Sequence, residues 1–162
     1  MSRAGRNSAS QAVPRLNGQQ ADYIVAQFQA FHDPGQEDPR ATAAMWDVVR
    51  PIDASTLAEI AAYYAQLPPV APGGSGAIAA EDRKLFENGD PCERIVACQS
   101  CHGAQGQRRG AAPQLSGRHG EYLKNQLDRL RFGLRASGVM HPMTNAMTDS
   151  QIEELVACLA GI

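Results

Sequence analysis

The chain has 162 residues, a net charge of −2 and a hydrophobic content of 43%. It can bury two small cores rather than one large one, and units of about 80 residues are marginal unless something staples each of them. The charge argues against nucleic acid as a partner, and no run approaches the ~18 apolar residues of a membrane span.

The opening MSRAGRNSASQAVP holds no hydrophobic stretch of the kind a secretory signal requires. PRLNGQQADYIVAQF follows from Pro14, and its Ile24, Phe28 and Phe31 fall on one helical face, which predicts a helix near 20–31. Beyond the loop FHDPGQEDPR come Met45 and Trp46. A second helix is expected near 54–66, where Leu57, Ile60, Ala61 and Tyr64 share a face. PPVAPGGSG, residues 68–76, is the only Pro/Gly-dense run and reads as a linker between units 1–67 and 77–162.

In the second unit, helices are expected near 78–88, 94–102, 119–132 and 148–160. The last opens on Thr148 with Gln151 three residues later, a capping-box arrangement. VACQSCHG places Cys98, Cys101 and His102 as a Cys-x-x-Cys-His word. A zinc site would need about four ligands, and the remaining cysteines, Cys92 and Cys158, have no close partners in sequence. A thioredoxin-like pair would need a βαβ setting, whereas strand-like alternation is scarce here. The histidine directly after the second cysteine points instead to covalent haem c: two thioethers to the vinyl groups and an imidazole to the iron. Haem c would also staple the small core.

The second axial ligand of an electron-transfer haem is commonly methionine, which raises the potential. Met140, Met143 and Met147 are candidates, with His141 a competitor. Methionines also serve as core filler. Between Arg108 and Arg135, seven basic residues (Arg108, Arg109, Arg118, Lys124, Arg129, Arg131 and Arg135) face two acidic ones, Glu121 and Asp128. They suit either a solvated helix face or a surface for haem propionates or an acidic partner. His32 and His119 read as surface residues. Cys92 and Cys158 can either pair in an oxidising compartment or remain thiols, Cys158 as part of an apolar helix.

The two units repeat. Pro14, Leu16, Gly18, Tyr23 and Gln27 match Pro113, Leu115, Gly117, Tyr122 and Gln126 at a constant offset of 99. Farther on the offset becomes 95, pairing Leu57, Ile60, Ala61 and Tyr64 with Ile152, Leu155, Val156 and Leu159. That offset pairs Met45 with Met140, while Met143 and Met147 fall opposite Val48 and Ile52, positions that need no sulfur. Met140 is therefore the preferred axial candidate, with Met143 its rival. Cys101 and His102 fall opposite Ser2 and Arg3, so the first copy lacks the haem word while keeping its downstream partners. Together with the missing signal, this leads to the expectation of a natural protein that begins upstream, with a signal peptide and a first haem site. A first domain that has lost its haem and kept Met45 as packing is the alternative.

ACQSCHG, PQLSGRHGEYLKNQL and MHPMTNAMTDSQIEELVACLAG, answered in the first copy by PRLNGQQADYIVAQF and MWDVVRPIDASTLAEIAAYYAQL, resemble the dihaem cytochrome c4 family of class I c-type cytochromes. The resemblance covers nearly the whole chain and departs from the family in the absent first haem motif. It implies an all-α fold of two tandem class I cytochrome c-like domains joined by the Pro/Gly linker. It also implies an axial methionine seven residues before the residue that opens the last helix, a spacing that Met140–Met147 and Met45–Ile52 both keep. Pro113 is implied to accept a hydrogen bond from the His102 ring through its carbonyl.

The family implies a periplasmic electron carrier, often held at the membrane surface, whose redox partners are a terminal oxidase, a quinol–cytochrome c reductase or a dehydrogenase. The chain is accordingly expected to be no enzyme: one haem c on Cys98 and Cys101, ligated by His102 and Met140, and a second, with Met45, only if the natural N-terminus is longer. A cytochrome subunit of a periplasmic dehydrogenase is the alternative. A haem peroxidase-type enzyme is disfavoured because Met140 would close the sixth position.

Overall fold

The computed structural model describes residues 10–32, 39–71 and 80–162. The described residues form eight helices and no strand beyond two isolated bridges. The first half supplies α1 (Ala21–Phe31), α2 (Pro39–Val49) and α3 (Ala54–Gln66). The second supplies α4 (Ala80–Asn88), α5 (Gln99–His102), α6 (Gly120–Arg131), α7 (Met140–Thr144) and α8 (Asp149–Gly161). None of these helices is long and apolar enough to cross a membrane.

The repeat expected from the sequence is visible in the helix limits. Shifted by 95 residues, α3 coincides with α8 at both ends. Both are started by the same device, a side-chain oxygen accepting the N–H three residues on. Asp53 accepts from Thr56 at 2.8 Å and Thr148 from Gln151 at 3.2 Å, and Gln151 returns the bond to the Thr148 N–H at 2.9 Å. At the same offset Val49 pairs with Thr144, and both are wholly buried.

Each half packs its own core. In the first, α1 lies on α3, and Ile24, Leu57 and Ala61 are buried between them. In the second, α8 lies against both α4 and α6, enclosing Leu85, Phe86, Leu123, Leu127, Ile152, Leu155 and Leu159. Among the described residues of the first half no helix corresponds to α4, and one repeat position differs accordingly. Cys158 is 1% exposed where α4 covers α8, whereas its counterpart Tyr63 is 48% exposed. Cys158 and Cys92 are both free thiols, the first buried and the second exposed in a turn, so the bridge considered from the sequence is not formed.

The helix expected over 94–102 is confined to its last four residues. Asp90 is the reason. Its carboxylate accepts the N–H groups of Cys92 (3.0 Å) and Glu93 (3.3 Å), and its backbone exchanges two 2.8 Å hydrogen bonds with Ile95. A short acidic side chain thus offers the backbone a turn in place of a helix. Arg94, at φ 59°, completes that turn.

The halves meet where α1 and α6 begin. The Gln19 side chain brackets the Gln114 backbone, accepting its N–H (2.9 Å) and donating to its carbonyl (3.1 Å). Across the interface, the Arg118 guanidinium donates to the carbonyls of Arg15 and Asn17. Because Gln19 corresponds to Arg118 and Arg15 to Gln114 at the offset of 99, these contacts are mates in an approximate two-fold arrangement. The start of the linker runs between them. A Cβ built on Gly18 would sit 2.7 Å from Pro69 Cγ, and one built on Gly117 would meet the Val70 carbonyl.

Candidate functional site

Cys98 caps the start of α5, Cys101 lies within its single turn and His102 ends it. The chain enters α5 from the Asp90–Ile95 turn and leaves it through Gly103 at φ 85°, a left-handed conformation that favours glycine. Cys98 is partly buried against the α4/α8 core while Cys101 is exposed. Burial pushes the Cys98 thiol up to about 11, its own backbone N–H opposing this and the nearby Cys158 and Cys101 adding to it. The Cys98 thiol is thus neutral at pH 7. Among the described residues no three His, Cys, Asp or Glu side chains converge as a metal cage would need.

His102 is 5% exposed. Its Nδ1 lies 2.8 Å from the Pro113 carbonyl oxygen. A carbonyl can only accept, so Nδ1 carries the proton and Nε2 keeps its lone pair. Burial pulls the ring below its ordinary pKa, against the smaller upward pull of the Pro113 bond. A neutral imidazole with a free Nε2 is the form that binds iron, and an N–H bond of this kind fixes ring orientation.

The three methionines part company. Met147 is 5% exposed and belongs to the α4/α6/α8 core, so it is filler. Met140 and Met143 are both partly buried and lie three residues apart on one face of α7. The Met140 N–H is held by Ser137 Oγ at 3.0 Å and its carbonyl by the buried Thr144 hydroxyl at 2.9 Å. His141 is engaged elsewhere, its Nδ1 2.7 Å from the Leu130 carbonyl. In the first half, Met45 is partly buried on α2 while Trp46 is 37% exposed, its ring 6.1 Å from that of His32.

Two surface readings are corrected. His119 is 5% exposed, buried at the entry to α6, while His32 is exposed as expected. The basic stretch is largely spent on structure: Arg118 is 5% exposed in the interface, and Arg131 binds Asp128 (3.1 Å), Asp149 (2.6 Å) and the Met147 carbonyl (3.0 Å). Arg135 reaches across to Tyr23 Oη and Gln27 Oε1, each at 2.8 Å. Burial pulls the Arg118 guanidinium down to about 10, with Tyr122 and Tyr23 opposing. Gln19, absent from the sequence candidates, is the residue missed. Its only sequence signal is its place opposite Arg118 in the repeat.

A family profile described as Cytochrome c matches residues 79–161. Cytochrome c-552 of Acidithiobacillus ferridurans is 33% identical over 160 residues, spanning 98% of this chain and 70% of that protein. A thiosulfate dehydrogenase electron acceptor of Thiomonas intermedia (strain K12) is 32% identical, spanning 97% of this chain and 74% of that one. The solved cytochrome c4 of Acidithiobacillus ferrooxidans superposes with a TM-score of 0.88 at 32% identity, over 96% of this chain and 93% of its own.

Proposed function

Since the chain belongs to the cytochrome c family, on its cytochrome c4 branch, we propose that it is a periplasmic electron carrier, not an enzyme, whose haem c is held by residues 77–162. Cys98 and Cys101 would attach the haem, with His102 Nε2 on one face of the iron and Met140 on the other. The observation that carries this reading is the His102 Nδ1–Pro113 bond, which leaves Nε2 as the only free ring nitrogen in a buried site. Haem c supplies the redox chemistry, its iron cycling between ferrous and ferric.

The donor set fits one haem. Residues 1–91 contain no cysteine, so nothing there holds a haem covalently, and Met45 alone keeps the spacing of an axial ligand. Residues 1–67 are accordingly read as a cytochrome c-like domain without a CxxCH, and 68–76 as the linker. The α6–α7 connection exposes Phe132, Leu134 and Val139 directly before Met140. That apolar surface suits brief contact with a redox protein, while the charged residues behind it are already engaged.

If His102 and Met140 both held the iron, no position would be left for substrate. The test is carbon monoxide added to the reduced holoprotein. A carrier gives a low-spin spectrum that carbon monoxide leaves unchanged; rapid conversion to an adduct would favour an enzyme. A second reading follows from the relative named as a thiosulfate dehydrogenase electron acceptor: this chain would then take electrons from one dedicated dehydrogenase. Saturable, rapid reduction by a single dehydrogenase would favour that reading over a general carrier to an oxidase or from a quinol–cytochrome c reductase.

A further inference from the structure

The peptide unit joining Pro113 to Gln114 is hydrogen-bonded at both ends. Its carbonyl accepts from His102 Nδ1 at 2.8 Å, and its N–H donates to Gln19 Oε1 at 2.9 Å. Gln19 lies in the other half of the molecule, and Gln19, Gln114 and His102 are each no more than 5% exposed. The amide orientation follows from the chemistry: a backbone N–H can only donate, so the atom facing it is the Gln19 oxygen. The Gln19 amide nitrogen then meets the Gln114 carbonyl at 3.1 Å, which holds the side chain in register.

We propose that Gln19 is a positioning residue for the second-half haem, acting on the axial histidine through the Pro113–Gln114 peptide. An acceptor on a peptide N–H polarises the whole unit and makes its carbonyl oxygen a stronger acceptor, by about 10–30% per bond in a chain of such bonds. The stronger Pro113 acceptor draws the His102 Nδ1 proton, making the ring a richer donor at Nε2. A richer donor stabilises ferric over ferrous iron and lowers the potential. One half of the molecule thereby sets the poise of the haem in the other, with no charged group and no direct contact with the ligand. Its mate, Arg118, cannot do the reverse, because a guanidinium has no acceptor.

This inference rests on His102 being an iron ligand, as proposed above. The experiment is an equilibrium redox titration of the full holoprotein, followed optically, with proton exchange at His102 Nδ1 measured by NMR in the reduced state. Gln19→Leu removes the acceptor. Gln19→Asn, a methylene too short to reach, keeps a polar side chain in the site and decides the question should the leucine variant fail to fold. Gln20→Leu is the control: it loses the neighbouring bonds across the same interface, to the Gly110 (2.6 Å) and Ala112 (3.2 Å) carbonyls, without touching the Pro113–Gln114 peptide. Both Gln19 variants should raise the reduced-to-oxidised ratio at fixed ambient potential by about threefold, an upward shift of about 28 mV at 59 mV per decade. They should also speed exchange of the Nδ1 proton, while Gln20→Leu does neither. Unchanged potentials in the Gln19 variants, or an equal shift in Gln20→Leu, would overturn the relay while leaving the haem ligation standing. An unsubstituted holoprotein without a low-spin histidine-ligated spectrum would overturn both.

Discussion

Replacing Gly117 by alanine tests the packing that joins the halves. Gly117 has φ +70°, and a Cβ there would lie 3.2 Å from the Val70 carbonyl carbon and overlap its oxygen. Two costs follow. A left-handed non-glycine residue costs about 1–2 kcal/mol, and forcing a methyl into a filled space costs about 1–3 kcal/mol through displaced backbone. The expected loss is therefore about 2–5 kcal/mol. Gly110 separates the two contributions, because it has φ +56° and nothing within 4 Å of a built Cβ. Gly110→Ala should show the conformational cost alone. Thermal unfolding followed by far-ultraviolet circular dichroism reads the difference, at roughly 2–4 °C per kcal/mol for a chain of this length. Gly117→Ala should melt roughly 2–12 °C below Gly110→Ala. Equal melting temperatures would refute the claim that the linker is wedged between the repeat glycines.

Burial raises the Tyr122 hydroxyl to about 12, with Tyr23 adding to the shift and Arg135, Arg118 and Arg129 opposing it. A folded-state pKa above the ordinary 10 means that stability is intact below pH 10 and falls as the unfolded phenol ionises between pH 10 and about 12. The loss between pH 9 and pH 11 should be about 1.3 kcal/mol; urea denaturation at those two pH values should show it, and Tyr122→Phe should remove most of it. Met140→Ala should abolish the methionine–iron charge-transfer band and lower the potential, whereas Met143→Ala should leave both nearly unchanged; the reverse pattern would transfer the ligand role to Met143. Thr148→Ala deletes the capping box of α8 and should cost about 1 kcal/mol by chemical denaturation, with no change in the haem spectrum.

The four long helices of the repeat were legible because their apolar residues recur at i, i+4 and i+7, the spacing that buries one face. Leu123, Leu127 and Leu130 are all buried. Thr148 and Gln151 announced the start of α8 by chemistry local to four residues. The Cys-x-x-Cys-His word stands out in the sequence for the same reason, since its five residues occupy a single turn. α2 and α7 went unread: α7 is five residues long, too short to show a period, and its one side-chain bond to its own backbone is the local Thr144 hydroxyl on the Met140 carbonyl one turn back. Arg118 and Gln19 are polar residues buried by bonds to the other half of the chain, and periodicity says nothing of partners some hundred residues away. Asp90 defeated the helix expected over 94–102 because its carboxylate, seen in sequence as one more acidic residue, captures two backbone N–H groups.

Covalent haem count is the most direct measurement of the central claim. The purified holoprotein, denatured and weighed by mass spectrometry, should carry the mass of one haem per chain of this sequence. Cys98→Ala combined with Cys101→Ala should yield the bare polypeptide mass. A chain that retains haem covalently after both replacements, or that carries none with both cysteines present, would contradict the assignment of Cys98, Cys101 and His102 as the haem site.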